Sequence, residues 1–275
     1  MSNRYTVVGQ PIAHSKSPTI HCMFGEQTGR NIIYTRTEST PSNFAQTLDE
    51  WQQAGGKGCN VTLPFKEIAV KLCDQLDQSA NDAQAVNTIH FQDGKRYGYN
   101  TDGSGLLRDL SNNQNFTVTN KRILLIGAGG AARGALGPLI AQAPHSITIA
   151  NRTVDKAKAL AAAFPHMLCG VMAVGYQDIG NEDRFDLVIN ATSLSLQKTL
   201  PPLPTYLFAP GALSYDMMYG IDDTIFMDWS RQHRATQVCD GLGMLIEQAA
   251  DAFAIWEGVR PDTKTVYTYI RSELK

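Results

Sequence analysis

Three groups of residues in this sequence have types and spacings that could do chemistry. The first is Gly127-Ala128-Gly129-Gly130-Ala131-Ala132, which follows the apolar run 123–126 and opens a helical pattern. A glycine turn between strand and helix is the setting in which backbone cradles a dinucleotide pyrophosphate. Gly127 permits the tight turn, Gly129 lets the backbone approach the phosphates, and the small Ala132 allows close helix–strand contact. The helix start adds unpaired N–H groups and positive partial charge. Taken alone, such a turn also suits a plain strand–helix connection, so the next strand decides more. Its end, Asn151-Arg152-Thr153, carries no acid. An NAD site usually sets Asp or Glu there, against the ribose hydroxyls. Arg152, with Asn151, Thr153 and Lys156 beside it, suits a 2′-phosphate instead, whereas a bare surface arginine would be solvated. The sequence therefore predicts NADP over NAD.

The second group is Lys66, at the end of Asn60-Val61-Thr62-Leu63-Pro64-Phe65-Lys66, and Asp102, in Asn100-Thr101-Asp102-Gly103. Reducing a ketone takes a hydride, which the cofactor supplies, and a proton, which a positioned acid must supply. An ordinary lysine holds its proton too tightly to shuttle it near neutral pH, so the role needs a partner and surroundings that tune it. A lysine at a helix start also sits against the helix dipole. Both features favour a chemical role for Lys66 with Asp102 as its partner. The third group is polar and neutral: Asn60, Thr62, Asn87-Thr88 and Thr101 lie at predicted strand ends, where Asn and Asp also serve turns and caps.

These side chains need a scaffold. The run 5–9 reads as a strand, 17–27 as a helix opened at Ser17-Pro18, and 32–38 and 58–63 as further strands. A helix is predicted over 65–72, and strands 85–91 and 96–102 flank the hairpin signal Asp93-Gly94. Strands at 122–130, 146–152, 185–192, 212–219 and 236–241 then alternate with helical stretches such as 154–164, which implies a parallel sheet. The polar stretch 111–121 reads as a connection. Apolar spacing over 242–257 predicts a helix, and the tail a further one on the first domain.

Bulk properties narrow the class. The 275 residues suffice for two domains, and 24 basic against 26 acidic residues give a net charge of -2, with no electrostatic reason to expect nucleic acid. No signal peptide, membrane span or metal site is expected: the start is short and polar, no apolar run is long enough to span a bilayer, and the histidines show no paired ligand spacing. The five cysteines, Cys22, Cys59, Cys73, Cys169 and Cys239, are odd in number and widely spaced, as expected of reduced thiols in a cytoplasmic protein.

Taken in order, several segments resemble the shikimate dehydrogenase family over nearly the whole chain. They are Pro11-Ile-Ala-His14-Ser15-Lys16-Ser17-Pro18, Gly55 to Gly58 leading to Asn60–Lys66, Ala85-Val-Asn87-Thr88, Asn100–Gly103 and Gly127–Arg133. Asn151-Arg152-Thr153, Asn190-Ala-Thr192-Ser193, Tyr215–Tyr219 and Asp240-Gly241-Leu242-Gly243-Met244 continue the match. The resemblance implies reversible reduction of 3-dehydroshikimate to shikimate with NADPH, a step towards the aromatic amino acids. It implies Lys66 as acid/base with Asp102. Ser15, Ser17 and Tyr219 would hold the substrate carboxylate, and Asn60, Thr62, Asn87 and Gln248 its hydroxyls, with Thr101 nearby. Gly127, Ala128, Gly129, Gly130, Ala131, Asn151, Arg152, Thr153, Lys156, Thr192, Met217, Gly241 and Met244 would contact NADP. Ordinary roles stand beside these: Ser15 and Ser17 suit helix capping, Tyr219 suits a core edge, Gln248 a half-exposed helix position, and His14 and His21 read as structural.

One departure stands out. The family usually has a glycine soon after the Asn190–Ser193 motif, where this chain continues Leu194-Ser195-Leu196-Gln197-Lys198. The expected architecture is an N-terminal α/β substrate domain over 1–102, joined by C-terminal helices at about 242–275, and a Rossmann-like NADP domain over 103–241, with a cleft between them. A monomer or homodimer is expected. A quinate/shikimate dehydrogenase of broader specificity, which often accepts NAD and carries an acid where this chain has Asn151-Arg152-Thr153, is the near alternative, and a non-catalytic NADP sensor the distant one, which Lys66 and Asp102 argue against.

Overall fold

A computed structural model describes residues 2–164, 170–180 and 183–274; Cys169 lies outside the described residues. The chain packs as two units, one of Met1–Gly105 with Leu245–Glu273 and the other of Leu106–Met244. The divisions expected from sequence fell three residues earlier in each case, after Asp102 and before Leu242.

The first unit opens with β1 (Asn3–Gly9), α1 (Ser17–Thr28), β2 (Ile32–Glu38), α2 (Phe44–Gln53), β3 (Gly58–Val61), α3 (Lys66–Val70), β4 (Gln75–Leu76), α4 (Gln78–Ala83), β5 (Thr88–Gln92), β6 (Lys95–Tyr99) and α5 (Asp102–Arg108). Its sheet runs β2-β1-β3-β5-β6-β4. The first three strands are parallel, and β5 is antiparallel to both neighbours. Asp93 and Gly94 both have positive φ, 52° and 76°, which a two-residue turn matching the strand twist requires. On one face Val8, Cys59, Val61 and Phe65 pack with Phe44 and Leu48. On the other, Tyr5, Val7 and Tyr34 pack with Ala252 and Trp256 of the penultimate helix, Leu242–Glu257.

Three local readings need correction. The third strand stops at Val61 because Thr62–Pro64 turns the chain into α3. Asp102 does not end a strand but opens α5. The 111–121 connection begins inside a wide helical turn over Asp109–Asn113.

The second unit continues with β7 (Arg122–Ile126), α6 (Gly130–Ala141), β8 (Ser146–Ala150), α7 (Val154–Ala162), β9 (Gly170–Val174), β10 (Phe185–Asn190), β11 (Phe208–Asp216), α8 (Ile225–Gln232) and β12 (Gln237–Cys239). Then come α9 (Leu242–Glu257) and α10 (Lys264–Glu273), and α10 packs against α1. The second sheet has the order β12-β11-β10-β7-β8-β9, and every pairing is parallel. Its inner strands β7, β8 and β10 are buried on both faces, so they read as continuous apolar runs, while the edge strands β9 and β12 are partly exposed. Strand order reverses between β7 and β10, and in such sheets ligands bind beyond the strand ends at that point. No helix of the described residues is long and apolar enough to cross a membrane.

Candidate active site

In the first unit, the stacked rings of Phe44 and Phe65, 4.5 Å apart, pin the turn that precedes α3 and so fix where Lys66 leaves the backbone. Lys66 Nζ donates to Asp102 Oδ2 at 2.6 Å, with side chains 29% and 11% exposed. The carboxylate is thus nearly sealed while the ammonium keeps a path outwards. The other Asp102 oxygen accepts from Asn87 Nδ2 at 2.9 Å, and the Asp102 N–H donates to Asn100 Oδ1 at 3.0 Å. Asp102 is therefore held from three sides, and charge-assisted bonds of this kind are about twice as strong as neutral ones.

Asn87 organises the rest. Its Nδ2 also faces Thr101 Oγ1 at 2.9 Å and Gln248 Oε1 at 3.1 Å, while its Oδ1 accepts from the Thr101 N–H at 2.9 Å and from Thr88 Oγ1 at 2.9 Å. Gln248, on α9, comes to this network across 161 residues of sequence. Asn60 sits below it. Its Nδ2 donates to the Asn87 carbonyl at 3.1 Å and to Thr88 Oγ1 at 3.0 Å, and its Oδ1 accepts from Tyr34 Oη at 2.7 Å. Both Asn60 N–H groups are thus committed inside the protein, so it supports Asn87. Tyr34 stacks on His21, a fully buried ring with neither nitrogen hydrogen-bonded, and burial pushes the His21 imidazole down to about 3.

Thr62 is half-buried, beside Gly9. Ser15 and Ser17 adjoin each other, Oγ to Oγ at 3.2 Å. The expectation that Ser17 caps the first helix is not met: Lys16 occupies the cap position without a side-chain bond. Ser15 Oγ instead accepts the Ser17 N–H at 3.3 Å.

The second unit carries the remaining candidates. Gly127 has φ of 107°, a conformation that side chains disfavour, and a Cβ there would lie 3.1 Å from Thr192 Cγ2. A Cβ at Gly129 would meet nothing within 4 Å, so its backbone is open to a ligand. Helix α6 starts at Gly130 with no side-chain cap and no acid in its first turn, which leaves its N–H groups unpaired and aimed at the switch point. Ala132 is fully buried in the close strand–helix contact. At the end of β8, Asn151 Nδ2 donates to the Thr153 carbonyl at 2.8 Å, and Thr153 leads into α7 with its hydroxyl uncommitted to the cap. Arg152 and Lys156 are exposed and ion-pair with no acid among the described residues. Met217 is buried, its N–H on the Asn190 carbonyl at 3.0 Å. Gly241 packs so closely that a Cβ would lie 2.2 Å from the Met217 carbonyl oxygen. Met244 and Tyr219 are half-buried, and burial raises the Tyr219 phenol.

Residues to which the sequence assigned no role are Tyr34, Asn190, Ser195 and Asp216, the last three although they stand in the quoted segments. Their signal is tertiary: each acts through partners that neighbouring strands bring alongside.

A parallel sheet with a glycine turn at its switch point, and a lysine held by a buried aspartate on a second α/β unit, define a nicotinamide-dependent oxidoreductase. The NADP-dependent shikimate dehydrogenase of Dechloromonas aromatica is 49% identical over 274 residues, covering 100% of this chain and 99% of the relative. The chain belongs to the shikimate dehydrogenase family. Its residues 7–89 match the shikimate dehydrogenase substrate binding domain, 109–197 the shikimate/quinate 5-dehydrogenase model and 241–268 the shikimate 5'-dehydrogenase C-terminal domain. Among solved structures, an Ael1 enzyme from Pseudomonas putida superposes with a TM-score of 0.92 at 42% identity, covering 98% of both chains. Shikimate 5-dehydrogenase from Thermus thermophilus, in complex with NADP(H) and shikimate, superposes with 0.87 at 31% identity, covering 99% of this chain and 100% of that one.

Proposed function

We propose that this chain reduces 3-dehydroshikimate to shikimate reversibly with NADPH, with Lys66 as the acid/base and Asp102 as its partner. The observation that carries the reading is the 2.6 Å bond between Lys66 Nζ and an Asp102 fixed from three sides. NADP supplies or accepts the hydride when bound. The chain's own residues handle the proton: Lys66 Nζ delivers it to the carbonyl oxygen as the alcohol forms and recovers it in the reverse direction. Asp102 keeps the ammonium aimed between turnovers.

The polyhydroxylated substrate matches the neutral groups around this pair. Thr62, Asn87, Thr101 and Gln248 serve its hydroxyls, while Asn60 acts by holding Asn87. Ser15, Ser17 and Tyr219 serve its carboxylate. A site built of such groups discriminates strongly, because an analogue lacking a hydroxyl leaves them unpaired. Gly127, Ala128, Gly129, Gly130 and Ala131 fit the pyrophosphate. Asn151, Arg152, Thr153 and Lys156 fit a 2′-phosphate, since Asn151-Arg152-Thr153 directly after β8 carries a cation and no acid; Asp155 follows in the first turn of α7. Thr192, Met217, Gly241 and Met244 fit the nicotinamide half, from the strand ends across the switch point. The enzyme works in the cytoplasm, in keeping with unpaired Cys22, Cys59, Cys73 and Cys239, as a monomer or homodimer.

The test is a four-way assay: NADPH or NADH oxidation with 3-dehydroshikimate or 3-dehydroquinate. Turnover is expected with NADPH and 3-dehydroshikimate, and at least tenfold less efficiently in the other combinations. Equal use of NADH, or no turnover of 3-dehydroshikimate, overturns the proposal.

A further inference from the structure

Asp216, at the C-terminal end of β11, is wholly buried, and among the described residues no cation pairs with it. Four neutral donors surround it instead. Ser195 Oγ and Thr224 Oγ1 donate to Oδ2, each at 2.6 Å, while Asn190 Nδ2 at 3.1 Å and the Met218 N–H at 3.0 Å donate to Oδ1. Burial raises its pKa, and these bonds oppose the rise. A buried carboxylate with no counter-ion is costly, so a site that keeps one needs its geometry.

What it fixes is a chain of contacts leading to the switch point. Asn190 Nδ2 donates to Asp216 Oδ1 and, at 3.2 Å, to Ser195 Oγ, which turns its Oδ1 the other way. That oxygen accepts from the Thr192 hydroxyl at 2.7 Å and the Thr192 N–H at 3.1 Å. Thr192 in turn abuts the Gly127 turn. The Met218 bond holds the backbone just after Met217, and the Met218 carbonyl accepts the Gly241 N–H at 3.1 Å. Ser195 stands in the segment where the family pattern has a glycine nearby, and its hydroxyl moors that segment to the same carboxylate.

We infer that Asp216 is a positioning residue for the nicotinamide half of the cofactor, and that Ser195 lets the unusual Leu194–Lys198 segment share that function. The inference rests on the NADP reading above. It concerns one end of the dinucleotide: none of the four donors belongs to the end of β8, where the 2′-phosphate group of residues lies.

The experiment is calorimetric titration of the full chain with NADP+ and with 2′,5′-ADP, which carries the 2′-phosphate and adenosine but no nicotinamide. Asp216→Asn keeps the shape but points an amide at donors. It is expected to weaken NADP+ by about tenfold and to leave 2′,5′-ADP within about twofold. Ser195→Ala keeps three donors and a fold checked by circular dichroism, and is expected to shift NADP+ binding in the same direction by a few-fold. In both variants the KM for NADPH rises while that for 3-dehydroshikimate stays. Equal losses for NADP+ and 2′,5′-ADP, or no loss for NADP+ in either variant, overturn the positioning role. If the wild-type chain binds 2′,5′-ADP but not NADP+, the role is also overturned. If it binds neither, the cofactor reading itself fails.

Discussion

The two units each hold a buried aspartate at the heart of a polar network, and the networks differ in kind. Asp102 pairs with a cation, and that cation stays 29% exposed. Asp216 is sealed behind four neutral donors. A carboxylate meant to hold a moving proton needs a partner that can exchange it. A carboxylate meant to hold loops in register needs partners that cannot leave. The same side chain thus serves chemistry in one place and architecture in the other, and its partners decide which.

The largest effect should separate the two at once. Lys66→Met is expected to lower kcat by roughly 10²–10⁴-fold while NADP+ affinity is unchanged, measured by steady-state kinetics and titration on one preparation. Stability should show the reverse order. Asp216→Ala leaves an amide, two hydroxyls and a backbone N–H without their acceptor, and should cost about 3 kcal/mol in urea unfolding. Lys66→Met should cost under about 1 kcal/mol, because its pair is open to water on one side.

Sequence revealed the first network far better than the second. Lys66 and Asp102 sit in motifs whose residue types announce a proton pair, and Asp93-Gly94 announced its hairpin by needing two positive φ values. The Asp216 hub could not be read this way. It exists because β10 and β11 pair in parallel with Asn190 opposite Asp216, residues 26 apart in sequence. The Tyr34–Asn60 bond likewise depends on the sheet, which sets β2 and β3 on either side of β1. Helix α2 carries a clear period that went unassigned in the sequence, with Phe44, Leu48 and Trp51 at i, i+4 and i+7 packing on the core. Ser17 looked like a cap because its type suits one, yet the chain path gives the accepting oxygen to Ser15.

Smaller effects sharpen the contrast further. Arg152→Gln should raise the KM for NADPH by about tenfold and leave that for NADH unchanged, since one charge-assisted contact to a phosphate is lost. Acid should act on the two units with opposite sign. His21 is held neutral by burial, so between its ordinary value of 6.5 and about 3 the unfolded chain binds the extra proton. Its contribution to stability is complete above 6.5 and declines as pH falls through that window. Asp216 has a raised pKa, so just above the ordinary carboxylate value of 3.8 the folded chain binds the extra proton, and its contribution improves as pH falls. Urea midpoints against pH should therefore decline less steeply on the acid side in His21→Leu than in wild type, and more steeply in Asp216→Asn.

The most direct test of the proton pair is rescue of Lys66→Ala by added small primary amines, followed as NADPH oxidation with 3-dehydroshikimate. Slow turnover that quickens with ethylammonium concentration, at unchanged substrate affinity, is the predicted result. A Lys66→Ala chain that turns over as fast as wild type with no amine present would contradict the account.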